Sequence, residues 1–390
     1  MAALALRSSA GSPGAPTRRA IHPQAITGRG YPSAVAWSPD GGRLALSWGT
    51  RVSVIRSDTG ETVAKSEERA GEWTSEIQWS PSGETLAAKD LNGQTRLLDA
   101  GTGRLRVRLR DTSFARKWSP DGDAFAAYTT ANRVGIFDGL TGKERGVLET
   151  GRDAGYALAW NPQGNLLACP SRSGEVELWD PAACRLRATL QRPAGLPVPP
   201  EKKPNDGDIL SQPWVTSSVA WNPRGDRLAA TAQDRGVVIW DMATEKVSRV
   251  LLEPEGIPED VSWEPTGKRL ASTVRATREF TIDHKFWRNP GFSCWEVATG
   301  ERRFVRTDHK RGVMDLQWSP LGPWIAATSV DDDWVTVWNA ETRMVLRLSV
   351  YHPRPPDLLG RVLSAAWSPD GKKLAAVAQN GWVTVWEFGD

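Results

Sequence analysis

One phrase recurs along this chain: a tryptophan, a small or polar residue, a proline and then a turn with glycine, as in WSPDG at 37–41. It begins at Trp37, Trp79, Trp118, Trp160, Trp221, Trp263, Trp318 and Trp367. The intervals are 42, 39, 42, 61, 42, 55 and 49 residues, so the basic period is 42 with three insertions. A period of this length predicts a repeat architecture in which each unit is one supersecondary element.

Each unit continues in the same order after this turn. A short apolar run follows, such as RLALS at 43–47, then an alternating run such as VELWD at 176–180, then a fourth run such as RLRVRLR at 104–110. Four short runs joined by tight turns predict a four-stranded antiparallel meander. One such sheet cannot cover both of its faces, but eight sheets in a ring can, because each packs on the next.

The units resemble WD40 repeats over roughly residues 20 to 390. The Trp-Asp signature is intact at Trp179–Asp180 and Trp240–Asp241. It is degraded in other units, at Trp338–Asn339, Trp386–Glu387, Trp295–Glu296, Leu98–Asp99 and Phe137–Asp138. The resemblance implies an all-β fold, an eight-bladed WD40-type β-propeller. A seven-bladed ring is the alternative, because the sixth unit is irregular between Val274 and Phe292.

The two ends of the chain are expected to close the ring together. The last unit ends near Phe388 after three strands, so we expect residues 20–27 to supply its missing outer strand. An unpaired strand at this seam would leave backbone groups without partners. We therefore divide the chain into a disordered tail, residues 1–17, and one propeller, residues 18–390, with insertions at 191–213, 275–292 and 351–361. The start of the chain lacks acidic residues before Asp40, so a targeting segment remains the alternative for residues 1–17.

Composition excludes several classes of protein. Hydrophobic residues make up 39% of the chain, which is too many for a disordered protein. The 49 basic and 46 acidic residues nearly balance, so the drive toward nucleic acid or an anionic membrane is weak. No apolar run approaches the length of a membrane-spanning helix. Three cysteines without a CxxC pair argue against a disulfide framework or a zinc site, and we expect a cytoplasmic location.

The 20 tryptophans divide into a framework set and a surface set. Thirteen end the first or third strand of a unit and should pack between blades. Six others map to the one rim that holds the turns between strands two and three and the crossings between blades: Trp48, Trp73, Trp214, Trp287, Trp334 and Trp382. Tryptophan is enriched in binding hot spots, so this rim is the predicted partner-binding surface. The other reading is that these residues cap the ends of the blade interfaces.

The charged residues assigned to the same rim are of mixed sign: Arg133, Arg172, Arg235 and Asp332. Mixed charge beside aromatic side chains favours a protein or peptide partner over a phosphate backbone. The long insertions fall on this rim by the same strand count. The proline-rich insertion, residues 191–213, is a further candidate binding element.

The sequence contains no catalytic, metal or cofactor motif. The four histidines have no zinc spacing, and no nucleophile elbow or phosphate-binding glycine loop occurs. The family resemblance implies that His309, Ser329, Asp331 (or Asp332) and Trp338 form a hydrogen-bonded tetrad that stabilises the seventh unit. We expect no catalytic residue, no metal and no cofactor.

These patterns predict a non-catalytic scaffold or adaptor within a larger complex. It is expected to bind protein or peptide partners through the predicted rim, to be monomeric on its own, and to bind neither nucleic acid nor membrane. Two alternatives remain: a propeller enzyme of the lyase or hydrolase type, and an RNA-associated propeller that uses the arginine-rich loops.

Overall fold

Strands account for all regular structure in the described part of the chain, and they form eight antiparallel sheets of four. The computed structural model describes residues 16–21, 32–67, 73–110, 112–129, 133–151, 157–171, 175–191, 193, 218–232, 236–254, 256–275, 291–306, 309, 313, 315–329, 332–350 and 361–388. The sheets are the blades of a ring. The first strand of each repeat lies innermost in its blade.

The chain begins with β1 (Thr17–Ile21), which belongs to the last blade. Blade 1 contains β2 (Pro32–Trp37), β3 (Arg43–Trp48), β4 (Arg51–Arg56) and β5 (Thr62–Lys65). Blade 2 contains β6 (Thr74–Trp79), β7 (Thr85–Asp90), β8 (Thr95–Asp99) and β9 (Leu105–Leu109). Blade 3 contains β10 (Thr112–Trp118), β11 (Ala124–Thr129), β12 (Val134–Asp138) and β13 (Glu144–Leu148). Blade 4 contains β14 (Ala159–Trp160), β15 (Leu167–Pro170), β16 (Val176–Asp180) and β17 (Arg185–Leu190).

The second half of the ring repeats this plan. Blade 5 contains β18 (Val219–Trp221), β19 (Arg227–Ala232), β20 (Gly236–Asp241) and β21 (Lys246–Leu252). Blade 6 contains β22 (Ile257–Trp263), β23 (Arg269–Arg275), β24 (Gly291–Glu296) and β25 (Arg302–Arg306). Blade 7 contains β26 (Asp315–Trp318), β27 (Trp324–Thr328), β28 (Trp334–Asn339) and β29 (Val345–Ser349). Blade 8 contains β30 (Val362–Trp367), β31 (Lys373–Ala378) and β32 (Val383–Glu387), completed by β1.

The predicted meander and the count of eight blades are confirmed. Blade 6, whose irregularity favoured the seven-bladed alternative, forms a complete sheet, so that alternative is wrong. Its predicted insertion is shorter than 275–292, because Arg275 ends β23 and Gly291 begins β24. Phe292 is fully buried within β24. Most of the insertions at 191–213 and 351–361 lies outside the described residues, so their predicted role stays a prediction.

The ring closes through β1, which pairs antiparallel with β32 from Thr17 opposite Glu387 to Ile21 opposite Val383. Closure by an N-terminal outer strand is therefore confirmed. The predicted span of 20–27 was wrong at its start, because the strand begins at Thr17, a residue assigned to the tail. Residues 22–27 lie outside the described residues.

The recurring phrase forms the turn between the first two strands of each blade. In blade 3 the backbone N–H of Ala124 donates to Ser119 Oγ at 2.9 Å, and in blade 4 that of Leu166 donates to Asn161 Oδ1 at 2.9 Å. A short side-chain acceptor therefore follows the tryptophan. The turn glycine adopts left-handed backbone, as at Gly122 with φ +76°, where a side chain would be strained.

These turns also contact one another around the ring. A methyl group on five of the turn glycines would lie 3.2–3.9 Å from the proline of the preceding blade's turn. The pairs are Gly41–Pro369, Gly83–Pro39, Gly122–Pro81, Gly164–Pro120 and Gly267–Pro223. Proline and glycine thus serve both the turn itself and the packing of neighbouring blades.

The hydrophobic core lies between the blades. It consists of eight clusters, and each cluster draws its residues from two consecutive blades. The first-strand and third-strand tryptophans lie in these clusters, as predicted for the framework set. Trp240, Trp295 and Trp386 are among the largest fully buried side chains.

The inner-strand tryptophans also join the blades by hydrogen bonds. In seven of the eight, the indole N–H donates to the backbone carbonyl that precedes the equivalent tryptophan of the previous blade. The pairs are Trp37–Ala366, Trp79–Ala36, Trp160–Lys117, Trp221–Ala159, Trp263–Ala220, Trp318–Ser262 and Trp367–Gln317, with Nε1···O distances of 2.9–3.2 Å.

Blade 3 is the exception. By the same rule Trp118 would donate to the Gln78 carbonyl, but its buried Nε1 has no hydrogen-bond partner among the described residues. The pairing of β10 with β11 shifts register between Thr112 and Arg116, just before this tryptophan. Trp118 keeps its apolar contacts and lies 4.8 Å, centroid to centroid, from Phe125.

Truncation tests the closing strand. Deleting residues 1–21 should lower the melting temperature by roughly 5–10 °C, because each lost backbone hydrogen bond is worth about 1 kcal/mol. Deleting residues 1–15 keeps β1 and should leave the melting temperature unchanged. Differential scanning calorimetry of the two truncations makes the comparison, and equal melting curves would contradict closure by β1.

Paired tryptophan substitutions test the ring of indole hydrogen bonds. Trp79→Phe should cost about 1–3 kcal/mol of unfolding free energy, because it leaves the buried Ala36 carbonyl without its donor. Trp118→Phe should cost less or even stabilise, because it removes a buried donor that has no acceptor. Urea unfolding of both variants measures the difference. A larger loss for Trp118→Phe would show that these hydrogen bonds do not matter.

Candidate functional site

We use the name loop rim for the edge of the ring that carries the turns between the second and third strands and the crossings between blades. Two side chains stand out on it. Trp73, in the crossing to blade 2, is 43% exposed, and Leu91, in the β7–β8 turn, is 70% exposed. The Leu91 N–H donates to the Trp73 carbonyl at 2.9 Å, so the two residues are neighbours. They form an exposed apolar patch, the Trp73–Leu91 patch.

The backbone beneath this patch is firmly held. The Thr74 N–H donates to the Gly49 carbonyl of blade 1 at 2.8 Å. The buried Arg96 guanidinium donates to Thr74 Oγ1 at 2.6 Å. The crossing is thus tied to the turns of both blades that it joins, and Trp73 is presented to solvent from a fixed backbone.

Two other predicted rim tryptophans, Trp48 and Trp382, are only half-exposed. Trp48 packs on the β31–β32 turn, where a methyl group on Gly381 would lie 2.5 Å from its ring. Gly381 also has φ +88°, so a side chain there would be strained by the backbone conformation as well as by contact with Trp48. Trp48 therefore caps the interface between blades 8 and 1, which is the structural reading that the sequence left open.

Trp334 belongs to the interior rather than to the exposed rim, since only 9% of it is exposed. The Arg347 guanidinium lies 3.5 Å above its ring centroid, and the His309 ring is stacked 5.6 Å from it at an interplanar angle of 8°. The prediction that Trp334 is a partner-binding residue is corrected by this packing.

Asp332, also assigned to the rim, is fully buried and cannot meet a partner. Its Oδ2 lies 2.9 Å from His309 Nδ1. Burial lowers the pKa of His309, although the hydrogen bond and charge of Asp332 oppose this effect. The implied tetrad therefore uses Asp332 as its acid, whereas Asp331 lies outside the described residues.

The rest of the implied tetrad is only partly in place. Ser329 Oγ is buried and has no hydrogen-bond partner in the described part of the chain. Trp338 is buried and meets Phe292 edge-on, with ring centroids 5.8 Å apart. The His309–Asp332 pair and the packing of Trp338 are consistent with a structural role.

Of the remaining predicted rim residues, Arg133 lies within the described part of the chain. Arg133 is exposed and its Nε lies 2.8 Å from Glu149 Oε2, so its charge is paired. Four further residues lie outside the described residues and stay predictions: Trp214, Trp287, Arg172 and Arg235.

A second candidate site lies at the centre of the ring and was missed at the level of sequence. The inner strands of blades 2 to 7 enclose a cavity of about 770 Å³. Much of its lining comes from two positions in each repeat, three residues and one residue before the inner-strand tryptophan. Ten of these sixteen positions hold Ala or Ser, which leaves the channel open. The charged exceptions are Glu76, Lys117, Asp260 and Asp315.

Glu76 is neutralised within blades 2 and 3. Its Oε2 accepts from Arg116 Nη2 at 2.9 Å, and its Oε1 accepts from Gln78 Nε2 at 2.6 Å. Burial would raise the pKa of Glu76, but the charge of Arg116 and the hydrogen bond from Gln78 outweigh it and leave the pKa lowered. Glu76 and Arg116 therefore form a satisfied structural pair.

Asp260 and Asp315 occupy equivalent positions in the adjacent blades 6 and 7. Asp260 is exposed to the cavity, but partial desolvation by the surrounding ring raises its pKa, and the hydrogen bond from Ser218 and the charge of Lys117 only partly oppose this shift. Burial also raises the pKa of Asp315; the hydrogen bond from Gln317 opposes this shift and the charge of Asp260 adds to it. Gln317 Nε2 donates to Asp315 Oδ2 at 2.8 Å.

The signal for these residues was present in the sequence but was not used. Acidic side chains stand three residues before Trp79, Trp263 and Trp318, where other repeats have Ala or Ser. Reading each repeat for departures from its own consensus would have found them. Searched across the described residues, no cluster of three or more His, Cys, Asp or Glu side chains is arranged to hold a metal ion. The described residues also contain no helix that is long and apolar enough to cross a membrane.

Substitution of the channel carboxylates tests their electrostatic cost. The pKa values of both carboxyls in the folded chain lie above the ordinary 3.8, so the folded chain favours their protonated form. This stabilisation is fully present below pH 3.8 and is lost as the pH rises through the raised pKa values. The Asp260→Asn, Asp315→Asn double variant should therefore melt higher than the natural chain at pH 7, and the two curves should converge near pH 3.

Asp99→Asn is the matched control with the opposite sign. The Arg106 guanidinium and Thr102 hold the pKa of Asp99 at about 2, so this variant should melt lower at pH 7. A lower melting temperature for the double variant at pH 7 would contradict the assignment of Asp260 and Asp315 as costly charges.

Comparison with known proteins gives the same architecture. Residues 147–180, 210–241, 300–339 and 358–387 match the family described as WD domain, G-beta repeat. Coronin-7 of Mus musculus is 33% identical over 104 residues, which is 26% of this chain and 10% of that protein. Periodic tryptophan protein 2 homolog of Dictyostelium discoideum is 29% identical over 93 residues, 24% of this chain and 9% of that protein. The matched region thus spans about a tenth of each of these relatives.

Solved structures show the fold over nearly the whole chain. The C-terminal WD40 domain of Sif2 has a TM-score of 0.69 at 13% identity, covering 97% of this chain and 100% of that one. The computationally designed Ika8 protein has a TM-score of 0.67 at 15% identity, covering 92% and 97%. With WD40 repeats matched in four places and eight blades in the ring, the chain is an eight-bladed β-propeller that carries WD40 repeats.

Proposed function

We propose that this propeller is a non-catalytic scaffold that binds a protein or peptide partner at the Trp73–Leu91 patch of its loop rim. The supporting observation is that an exposed tryptophan and an exposed leucine sit side by side on a backbone held by both neighbouring blades. Propellers of the WD40 family serve in general as protein-interaction scaffolds, which agrees with this role.

The physical case rests on desolvation and preorganisation. A partner that covers Trp73 and Leu91 removes apolar surface from water at about 25 cal/mol per Å². Because Thr74 and Leu91 already anchor the backbone, little ordering entropy is lost on binding. Tryptophan is among the residues that most often dominate binding energy.

Charge favours a protein over a nucleic acid at this rim. The chain carries a net charge of only +3. Arg133, the one predicted rim arginine within the described residues, is paired with Glu149. A phosphate backbone needs several uncompensated cations in a row.

We further propose a reducing, cytoplasm-like location and a monomeric propeller. The three cysteines are free thiols, and Cys169 and Cys294 are buried. The edge strand β9 carries alternating arginines, Arg106 and Arg108, which disfavour pairing with the edge of another chain.

A comparative capture experiment tests the scaffold role. The full chain, a Trp73→Ala, Leu91→Ala double variant and a Leu321→Ala control are used as baits in lysate of the source cells, with quantitative mass spectrometry. Leu321 is 65% exposed in a turn on the opposite rim. We expect a partner that the natural chain and the control retain and that the double variant loses at least tenfold.

Two other outcomes would overturn the proposal. A partner retained equally by all three baits would show that the Trp73–Leu91 patch is not the binding surface. Capture that disappears after nuclease treatment, with a steep dependence on salt, would point to RNA instead. Circular dichroism melts of the double variant should match those of the natural chain, since both side chains are exposed.

A further inference from the structure

The central channel holds charged groups that the fold does not use. Arg116 and Glu76 form an ion pair, so neither adds an uncompensated charge to the channel. Lys117, Asp260 and Asp315 form no ion pair among the described residues. Lys117 lines the cavity from blade 3, and the two carboxylates line it from blades 6 and 7.

Asp260 and Asp315 form what we name the acceptor wall. They stand at the same repeat position in neighbouring blades and line the same cavity, and the charge of Asp260 contributes to the raised pKa of Asp315. Gln317 occupies one oxygen of Asp315. Five of the eight repeats fill this position with Ala or Ser, so a blade forms without a carboxylate there. A cationic group seated between the two would remove their repulsion.

Lys117 on β10 forms the facing donor wall. Its side chain is exposed and lines the cavity from blade 3. An ammonium at this position, without an ion-pair partner among the described residues, is suited to a carboxylate.

We propose that the channel binds an elongated zwitterion, a basic amino acid or a basic residue at a peptide's C-terminus. Its side-chain cation lies between Asp260 and Asp315, and its carboxylate meets Lys117. A cavity of about 770 Å³ lies within the size range of small-molecule sites. A purely anionic ligand would be repelled by the acceptor wall, and two carboxylates without a third ligand are too few for the described residues to cage a metal ion. This site is separate from the Trp73–Leu91 patch.

Isothermal titration calorimetry on the full chain tests the ligand class. L-lysine and L-arginine should bind with one site per chain. Norleucine lacks the side-chain ammonium and 1,5-diaminopentane lacks the carboxylate, so each should bind at least tenfold more weakly than lysine. The peptide Gly-Ala-Ala-Lys, compared with its C-terminal amide, distinguishes a peptide terminus from a free amino acid as the source.

Variants locate the site. The Asp260→Asn, Asp315→Asn double variant and Lys117→Met should each weaken lysine or peptide binding at least tenfold. The double variant is expected to be more stable than the natural chain, so its loss of binding would not reflect unfolding. Lys246→Met on the outer strand β21 and Trp73→Ala on the loop rim are the matched controls and should bind normally.

Three results would overturn the proposal. These are no saturable binding of lysine, arginine or the peptide; equal binding of norleucine or diaminopentane; and unchanged binding by the channel variants. Because Trp73→Ala affects only the rim, failure of the channel site would leave the scaffold proposal standing, and the reverse also holds.

Discussion

The structure depends on a hydrogen bond that seven of the eight blades make to the preceding blade, from an inner-strand indole N–H to a backbone carbonyl. Apolar packing alone would hold two blades together, but it would tolerate sliding of one sheet on the next. Where it forms, the indole bond fixes the height of an inner strand relative to the one before it, as Trp79 does with Ala36. The proline–glycine contact between turns does the same at the rim. The eight core clusters can then be packed tightly because the register between blades is already set.

The fold was largely predictable because these contacts leave a mark in sequence. Each residue of the recurring phrase has a local structural role: the tryptophan, the serine or asparagine, the proline and the glycine. The phrase therefore recurs once per blade, and the number of its copies predicts the number of blades. The closing strand was placed too late in the chain because Thr17–Ile21 has no such phrase and is defined by its partner β32. Exposure was the hardest property to predict. Trp73 and Trp334 look alike in sequence, yet one is exposed and the other lies between Arg347 and His309.

The channel shows why the second candidate site escaped a search for motifs. Its charged residues are far apart in the chain and become neighbours only because the ring brings the same repeat position of different blades to one axis. No spacing rule connects Lys117 with Asp260. What marks them is a departure from the local consensus at positions where the fold is satisfied by Ala or Ser. In a repeat protein, a residue that departs from the consensus of its position and adds nothing to the packing is a candidate functional residue.

The pairing of β1 with β32 has a consequence for how the chain reaches its final state. Blades 1 to 7 are each built from one contiguous stretch, so each can form as soon as its own residues are present. Blade 8 joins Thr17 to Glu387, nearly the full length of the described chain. Among the described strands, β1 therefore has a partner that is synthesised much later in the chain. We expect this closing pairing to be a late step of folding, because contacts distant in sequence cost the most loop-closure entropy.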